Sequence, residues 1–306
     1  MPELAEVEIT RQKLLPLVRG RRVLNFWTDW VRGLRGSGSG RRIARDMRGR
    51  RILDVKRQGK VLFIVLSGQP PRIMAIHLRM SGRLEVVPVM PPSKLVSKYQ
   101  RSLVCANSHG RWVHFRWQLS GGRRGRASPS TGRELRFVDP RKFGVVWYGS
   151  PADLACDPYL GRLGGDMQTL PRAEFAAALA RGRGMIKPFL LRQDRFSGIG
   201  NIIADESLWR ARIHPETRIP DLDAHGSRTL HAAIRMTIRT MLASGGTSIR
   251  NWGQPDGGRG TYQDRRRIYG RAGHRCPRCR ATLRRLIVGG RGTTVCPSCQ
   301  QRRIVR

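Results

Sequence analysis

Near its C-terminal end the chain reads Cys276-Pro-Arg-Cys279 and, after sixteen intervening residues, Cys296-Pro-Ser-Cys299. Two close pairs at this separation suit one tetrahedral zinc held by the turns of a small β-hairpin. Two disulfides are the competing reading. The N-terminus carries Glu3, Glu6 and Glu8 instead of the basic-then-apolar pattern of a secretion leader, so a reducing compartment is expected and zinc is favoured. With all four ligands thiolates, no coordination position stays open for water, so the metal is structural and no metal-dependent hydrolysis is implied. Cys105 and Cys156 stand alone and are expected to be small buried residues.

The hairpin would occupy only the tail of 306 residues, a length that holds about two domains with cores of their own. Residues 3–18 place Leu4, Val7, Leu14 and Val18 at helical spacing, with Leu15 and Leu17 widening the stripe, behind Pro2 and an acidic first turn. Short alternating or apolar runs follow at 22–27, 51–55, 61–66, 72–77, 83–89, 102–106, 111–117, 135–138 and 145–148, separated by Gly, Pro and Ser. They predict a β-sandwich or barrel-like domain. The stretches 36–40 and 120–133 read as long loops, the second a basic insertion. From about residue 150 the period becomes helical, at 173–180, 187–193, 201–211 and 228–244, the last ended by Gly245-Gly246. The expected fold class is α+β: an N-terminal helix and β-sandwich over 1–149, a helical domain over 150–261, and the zinc-finger β-hairpin over 262–306.

Lys plus Arg number 59 against 21 Asp plus Glu, and the excess runs along the whole chain, which points to a polyanionic partner, nucleic acid first. Only seven of those cations are lysines, so part of the arginine excess reflects composition alone. No run approaches the roughly 18 apolar residues of a membrane span. A cytoplasmic or nucleoid location, with no membrane partner, is the expectation.

Taken in order, MPELAEVE at 1–8, QGK at 58–60, HLRMSG at 77–82, DPRKFG at 139–144, IKPFLL at 186–191, GIGNIIADESLW at 198–209, GGTS at 245–248, IYGRAG at 268–273 and the four-cysteine hairpin resemble the formamidopyrimidine-DNA glycosylase family, the helix–two-turn–helix glycosylases. The resemblance spans nearly the whole chain. It implies an enzyme that excises oxidised bases from double-stranded DNA and then cuts at the abasic site, acting as a monomer with one structural zinc. Pro2 would be the nucleophile once the initiator methionine is removed, because a secondary amine attacking C1′ yields an iminium that is cationic without a proton. Glu3 would shuttle protons, supported by Glu6. Lys60 and Arg291 complete the implied reacting set as phosphate-holding cations. A base-flipping enzyme must also fill the gap it creates: Met80 would fill the void, Phe143 wedge into the stack and Arg141 read the estranged base. His77, Lys187 and Asn201 match DNA-contacting positions, Asn201 doubling as a helix N-cap, with the GIGN glycines admitting a phosphate to backbone N–H groups. Cys276, Cys279, Cys296 and Cys299 match the zinc ligands.

The sequence departs from the family pattern at Ala5, where a second proline is usual, at KYQRS 98–102, which lacks a histidine, at the insertion 119–133, and at LLRQ 190–193 in place of LLDQ. These positions bear on lesion preference more than on the reaction. Within the resemblance, ELAEVE and DPRKFG favour oxidised purines as the substrate class, and 247–267 has the length of the lesion-covering loop of that purine-type branch, with Arg250 a candidate within it. A pyrimidine-preferring glycosylase with the same nucleophile, and a non-catalytic zinc-finger protein that binds damaged DNA, are the alternatives.

Overall fold

The computed structural model describes residues 2–36, 38–89, 110–121, 132–248 and 252–302. The expected strand at 102–106, Cys105, KYQRS, Arg250 and most of the basic insertion lie outside them.

Helix α1 (Leu4–Val18) opens the chain as its apolar spacing requires, and buries Leu4, Val7, Leu14 and Val18 completely. Nine strands follow: β1 (Val23–Thr28), β2 (Leu34–Gly36), β3 (Ile52–Gln58), β4 (Val61–Leu66), β5 (Arg72–His77), β6 (Arg83–Pro88), β7 (Val113–Leu119), β8 (Arg133–Val138) and β9 (Val145–Gly149). They form one sheet in the order β1-β7-β8-β6 and another in the order β2-β9-β5-β4-β3. Alternate residues of both sheets, among them Phe26, Leu62, Ile64, Ile76, Phe115, Trp117 and Phe137, enter a common core with α1, so the pair is a sandwich. The other face of the five-stranded sheet, with Val61, Ala75, Val145 and Trp147, is covered by Leu154 and Leu160. Two-sided cover explains why β4 and β9 read as nearly continuous apolar runs.

The stretch 36–40 differs from its loop reading. Ser39 accepts a hydrogen bond from the Arg42 N–H and starts α2 (Gly40–Met47), whose Ile43 and Met47 plug the sandwich. Cys156, expected buried, is exposed.

Beyond the sandwich come α3 (Pro151–Ala155), the two-residue strand β10 (Gly165–Asp166), α4 (Arg172–Ala180), α5 (Ile186–Leu190), β11 (Phe196–Ser197), α6 (Asn201–Arg210) and α7 (Ala224–Ala243). The pair β10 and β11 is parallel. These helices share a second core of Phe175, Phe189, Phe196, Ile203, Leu208, Leu230, Ile234 and Met241, which Leu4 and Ala5 of α1 also enter. Helix α1 therefore belongs to both cores. Trp252 crosses in the other direction and is buried in the sandwich core. Strands β12 (Arg284–Val288) and β13 (Arg291–Val295) form the expected antiparallel hairpin. No helix among the described residues is long and apolar enough to cross a membrane.

Candidate active site and DNA interface

Sheet register assembles one edge of the site. Val61 pairs with His77 and His77 with Val145, so Lys60, the HLRMSG loop and the end of DPRKFG all emerge at the same end of the five-stranded sheet. Lys60 occupies the Gly59–Lys60 turn of the β3–β4 hairpin. Lys60 is 6% exposed, and its ammonium donates to the Ile199 carbonyl at 2.7 Å. Burial pulls Lys60 down to about 8, with Glu3 opposing and Arg291 adding to the shift.

Glu3 meets this edge from α1. Its buried carboxylate accepts from the Ile202 N–H at 2.8 Å and the Ile203 N–H at 3.0 Å, the free donors at the start of α6. A Cβ at position 200 would lie 2.2 Å from Glu3 Cδ, so any residue but glycine would displace the carboxylate held by α6. This changes the reading of GIGN: two of the helix-start donors, the Ile202 and Ile203 N–H groups, are taken by Glu3. Asn201 is likewise the first helical residue instead of the N-cap, which is Gly200. Its Nδ2 donates to the Gly292 carbonyl at 2.9 Å. Glu6 accepts from the Glu3 N–H and from the Thr247 N–H, both at 2.8 Å, and joins the segment behind Pro2 to GGTS. Burial, then the neighbouring Glu3, raises its pKa.

His77 is buried, and its Nδ1 accepts from the Arg79 N–H at 2.9 Å, which leaves the ring proton on Nε2. Burial, helped by Arg79 and Lys60, drives it down to about 3, so it is a neutral imidazole.

Met80 and Phe143 are 49% and 44% exposed, unusual for large apolar side chains, and the Arg141 guanidinium lies 4.4 Å over the Phe143 ring. Asp139, fully buried, ties their two loops together: it accepts from the Ser81 hydroxyl, from the N–H groups of Phe143 and Gly144 at 2.8 Å, and from the Arg141 N–H at 3.2 Å. Arg79 and Lys142, the residues before Met80 and Phe143, both take left-handed backbone conformations, φ 54 and 51. The sequence reading missed Asp139. The signal available was an acid opening DPRKFG, the residue type that organises a turn through backbone N–H groups.

Lys187 departs from its expected role. It is fully buried, and its ammonium lies 2.6 Å from Asp205 Oδ1 and 2.6 Å from Thr293 Oγ1. Burial lowers its pKa against the pull of Asp205. An ammonium so enclosed seats the β12–β13 hairpin. The other Asp205 oxygen accepts from the Thr294 N–H at 3.0 Å. Glu206 gathers the N–H groups of Arg267, Ile268 and Tyr269, and the Trp209 indole reaches Cys276 Sγ at 3.4 Å. Helix α6 thus holds Glu3 at one end and the metal module at the other, and between them the hairpin displays Arg291 exposed beside Gly292.

The sulfurs of Cys276, Cys279, Cys296 and Cys299 all lie within 4.8 Å of one another, with 3.4 Å between Cys279 and Cys296 and 4.0 Å between Cys276 and Cys299. Zn–S bonds of about 2.3 Å in a tetrahedron set sulfurs about 3.8 Å apart, so the four fit one zinc. These separations are far from a disulfide's ~2.05 Å.

The comparisons with known proteins agree with this geometry. Residues 1–146 match the formamidopyrimidine-DNA glycosylase N-terminal domain, 163–252 the formamidopyrimidine-DNA glycosylase H2TH domain, and 273–302 a zinc finger found in FPG and IleRS. A formamidopyrimidine-DNA glycosylase of Chloroflexus aurantiacus is 37% identical over 302 residues, covering 98% of both chains, and one of Deinococcus radiodurans is 35% identical over 322 residues, covering 100% of this chain and 99% of the relative. The MutM (FPG) protein of Thermus thermophilus superposes with a TM-score of 0.79 at 32% identity, over 99% of this chain and 100% of its own. A Lactococcus lactis FPG mutant in complex with Fapy-dG-containing DNA gives 0.80 at 28%, over 98% of this chain and 100% of its own. With matches of this extent to all three of its parts, the chain belongs to the formamidopyrimidine-DNA glycosylase family.

Proposed function

We propose that this DNA glycosylase removes oxidised purines of the 8-oxoguanine and formamidopyrimidine type from duplex DNA and cleaves the strand at the resulting abasic site, with Pro2 as nucleophile. The observation that carries the reading is the placement of Glu3. Adjacent to Pro2, it is 2% exposed and fixed by α6, in the same charge cluster as Lys60 and Arg291. Freed of Met1, the Pro2 nitrogen attacks C1′, and the base departs with the electrons of its glycosidic bond. Glu3 protonates the ring oxygen, the ring opens and an iminium forms between Pro2 and C1′. That cation acidifies the C2′ hydrogens. Proton removal then expels the 3′ phosphate, which Lys60 and Arg291 hold as its charge develops. Met80, Arg141 and Phe143 occupy the gap left by the flipped nucleotide. His77 offers a neutral Nε2–H to a backbone phosphate, and Asn201 helps shape the surface beside Gly292.

The segments 1–149, 150–261 and 262–306 serve in this reading as catalytic, gripping and zinc-bearing parts of a monomer working in the cytoplasm or nucleoid. Zinc, held by the four thiolates, fixes the hairpin that carries Arg291. Borohydride trapping on duplexes with 8-oxoguanine, thymine glycol or an abasic site tests the proposal. A covalent protein–DNA adduct that disappears with Pro2→Gly is expected; no adduct on any damaged duplex would overturn the mechanism. A preference for thymine glycol would overturn the purine assignment alone.

A further inference from the structure

The turn that carries Lys60 is gripped by a network to which the mechanism above assigns no part. Arg57, three residues earlier on β3, has a side chain 6% exposed. Its Nε–H donates to Glu8 Oε2 at 2.9 Å, Nη1 to the Gly59 carbonyl at 3.0 Å and to Asp166 Oδ2, and Nη2 to Asp166 Oδ1 at 3.0 Å and Gln168 Oε1 at 2.8 Å. A guanidinium has five N–H groups, and here all five are engaged. Lysine, with three donors on a point charge, cannot reproduce that fork.

Asp166 does more than pair with Arg57. Its Oδ2 also accepts the Gly59 N–H at 2.7 Å, so one carboxylate holds both the backbone of the Lys60 turn and the guanidinium behind it. Asp166 lies on β10, whose partner β11 leads directly into Ile199, the residue whose carbonyl accepts the Lys60 ammonium. Contact along this line is close: Gly59 has φ 56, and a Cβ there would lie 2.7 Å from Ser197 Cβ. The turn belongs to the sandwich, whereas Asp166, Gln168 and Ile199 belong to the helical half.

We infer that Asp166, acting through Arg57 and Gly59, is a positioning residue that sets where Lys60 presents its ammonium between the two halves of the protein. This rests on the assignment of Lys60 as the cation that holds the phosphate. The charges weighing most on Lys60 are Glu3 and Glu6 from α1, Arg79 from the loop after β5 and Arg291 from β13, with His77 packed beside it. Asp166 is not among these largest contributors, and it meets the turn through the Gly59 N–H and the Arg57 guanidinium. Slackening the turn lets water reach the ammonium and relieves the desolvation that depresses it.

Single-turnover excision by the full-length, zinc-loaded protein between about pH 6 and pH 10 tests this. Asp166→Asn should slow excision about tenfold at neutral pH and move the alkaline limb upward; Arg57→Lys should do the same. Gln168→Ala, which removes one peripheral acceptor, should give a smaller change in the same direction and supplies the answer if the first two variants fold poorly. A slowed Asp166→Asn enzyme with an unmoved alkaline limb, or one with the parental rate, overturns the inference. Lys60→Met separates the two readings. If it retains the parental rate, the assignment of Lys60 fails; if it is slow while the limb of Asp166→Asn stays fixed, only the positioning role of Asp166 fails.

Discussion

Lys60 and Lys187 are both buried lysines in motifs of the same resemblance, yet their surroundings give them opposite work. Lys187 touches a carboxylate, a hydroxyl and a carbonyl, and its charge is neutralised inside the protein by Asp205. Lys60 makes its short bond to a carbonyl, and among the described residues no carboxylate lies within ion-pair distance of it. A paired charge in a dry site fastens elements together. An unpaired one keeps a field that an incoming anion can feel. The first seats the hairpin and the second is, in the proposed reading, the charge that meets DNA, and this contrast can be broken at either end.

The largest effect is expected on the structural side. Lys187→Met leaves Asp205 buried without its partner, which should cost about 3–5 kcal/mol of stability in denaturant melts. Little loss would mean that the pair is solvated and the contrast wrong. Lys60→Met should do the reverse: equal or higher stability, because an uncompensated buried charge is removed, with excision slowed about 10²–10³-fold. Its pH dependence follows from a folded-state pKa of about 8 against the ordinary 10.5. Carrying the charge destabilises the fold fully below about pH 8, and that cost is relieved as pH rises from 8 to 10.5. Activity that needs the cation falls over the same range, so rate and stability profiles should move in opposite directions above pH 8. The smallest change belongs to Arg291→Ala. Losing one exposed phosphate contact should weaken binding to all sequences and reduce the slope of log affinity against log salt by about one. An altered lesion preference with an unchanged slope would assign Arg291 to base reading instead.

Strand limits of β4 and β5 were legible because short apolar runs there are bounded by turn residues, and the zinc module because thiolate spacing is itself the chemistry. Helix α2 was not, since Gly-Ser-Gly-Ser-Gly composes a flexible loop by propensity; Ser39 serves as its N-cap only once Ile43 and Met47 have a core to enter. Motif matching placed Glu3, Lys60, Met80, Arg141 and Phe143 in one assembly, but could not separate exposed from buried members of a set. Lys187 and the Ile202 and Ile203 amides are engaged within the protein, which no motif shows. Their partners, Asp205, Thr293 and Glu3, come from other parts of the chain. Arg57, Asp139 and Asp166 escaped notice because a scaffold acid or guanidinium has no local signature apart from the backbone it gathers.

By itself, then, the sequence determined most of the elements, the metal site and the family, all of which follow from local spacing or from short motifs in a fixed order. Only the tertiary structure decided which charges are free. That depends on what lies within about 3 Å of a buried ammonium or carboxylate, and such neighbours are brought together by sheet register and helix packing across more than a hundred residues of chain, as Ile199 is to Lys60, Ile202 to Glu3 and Thr293 to Lys187.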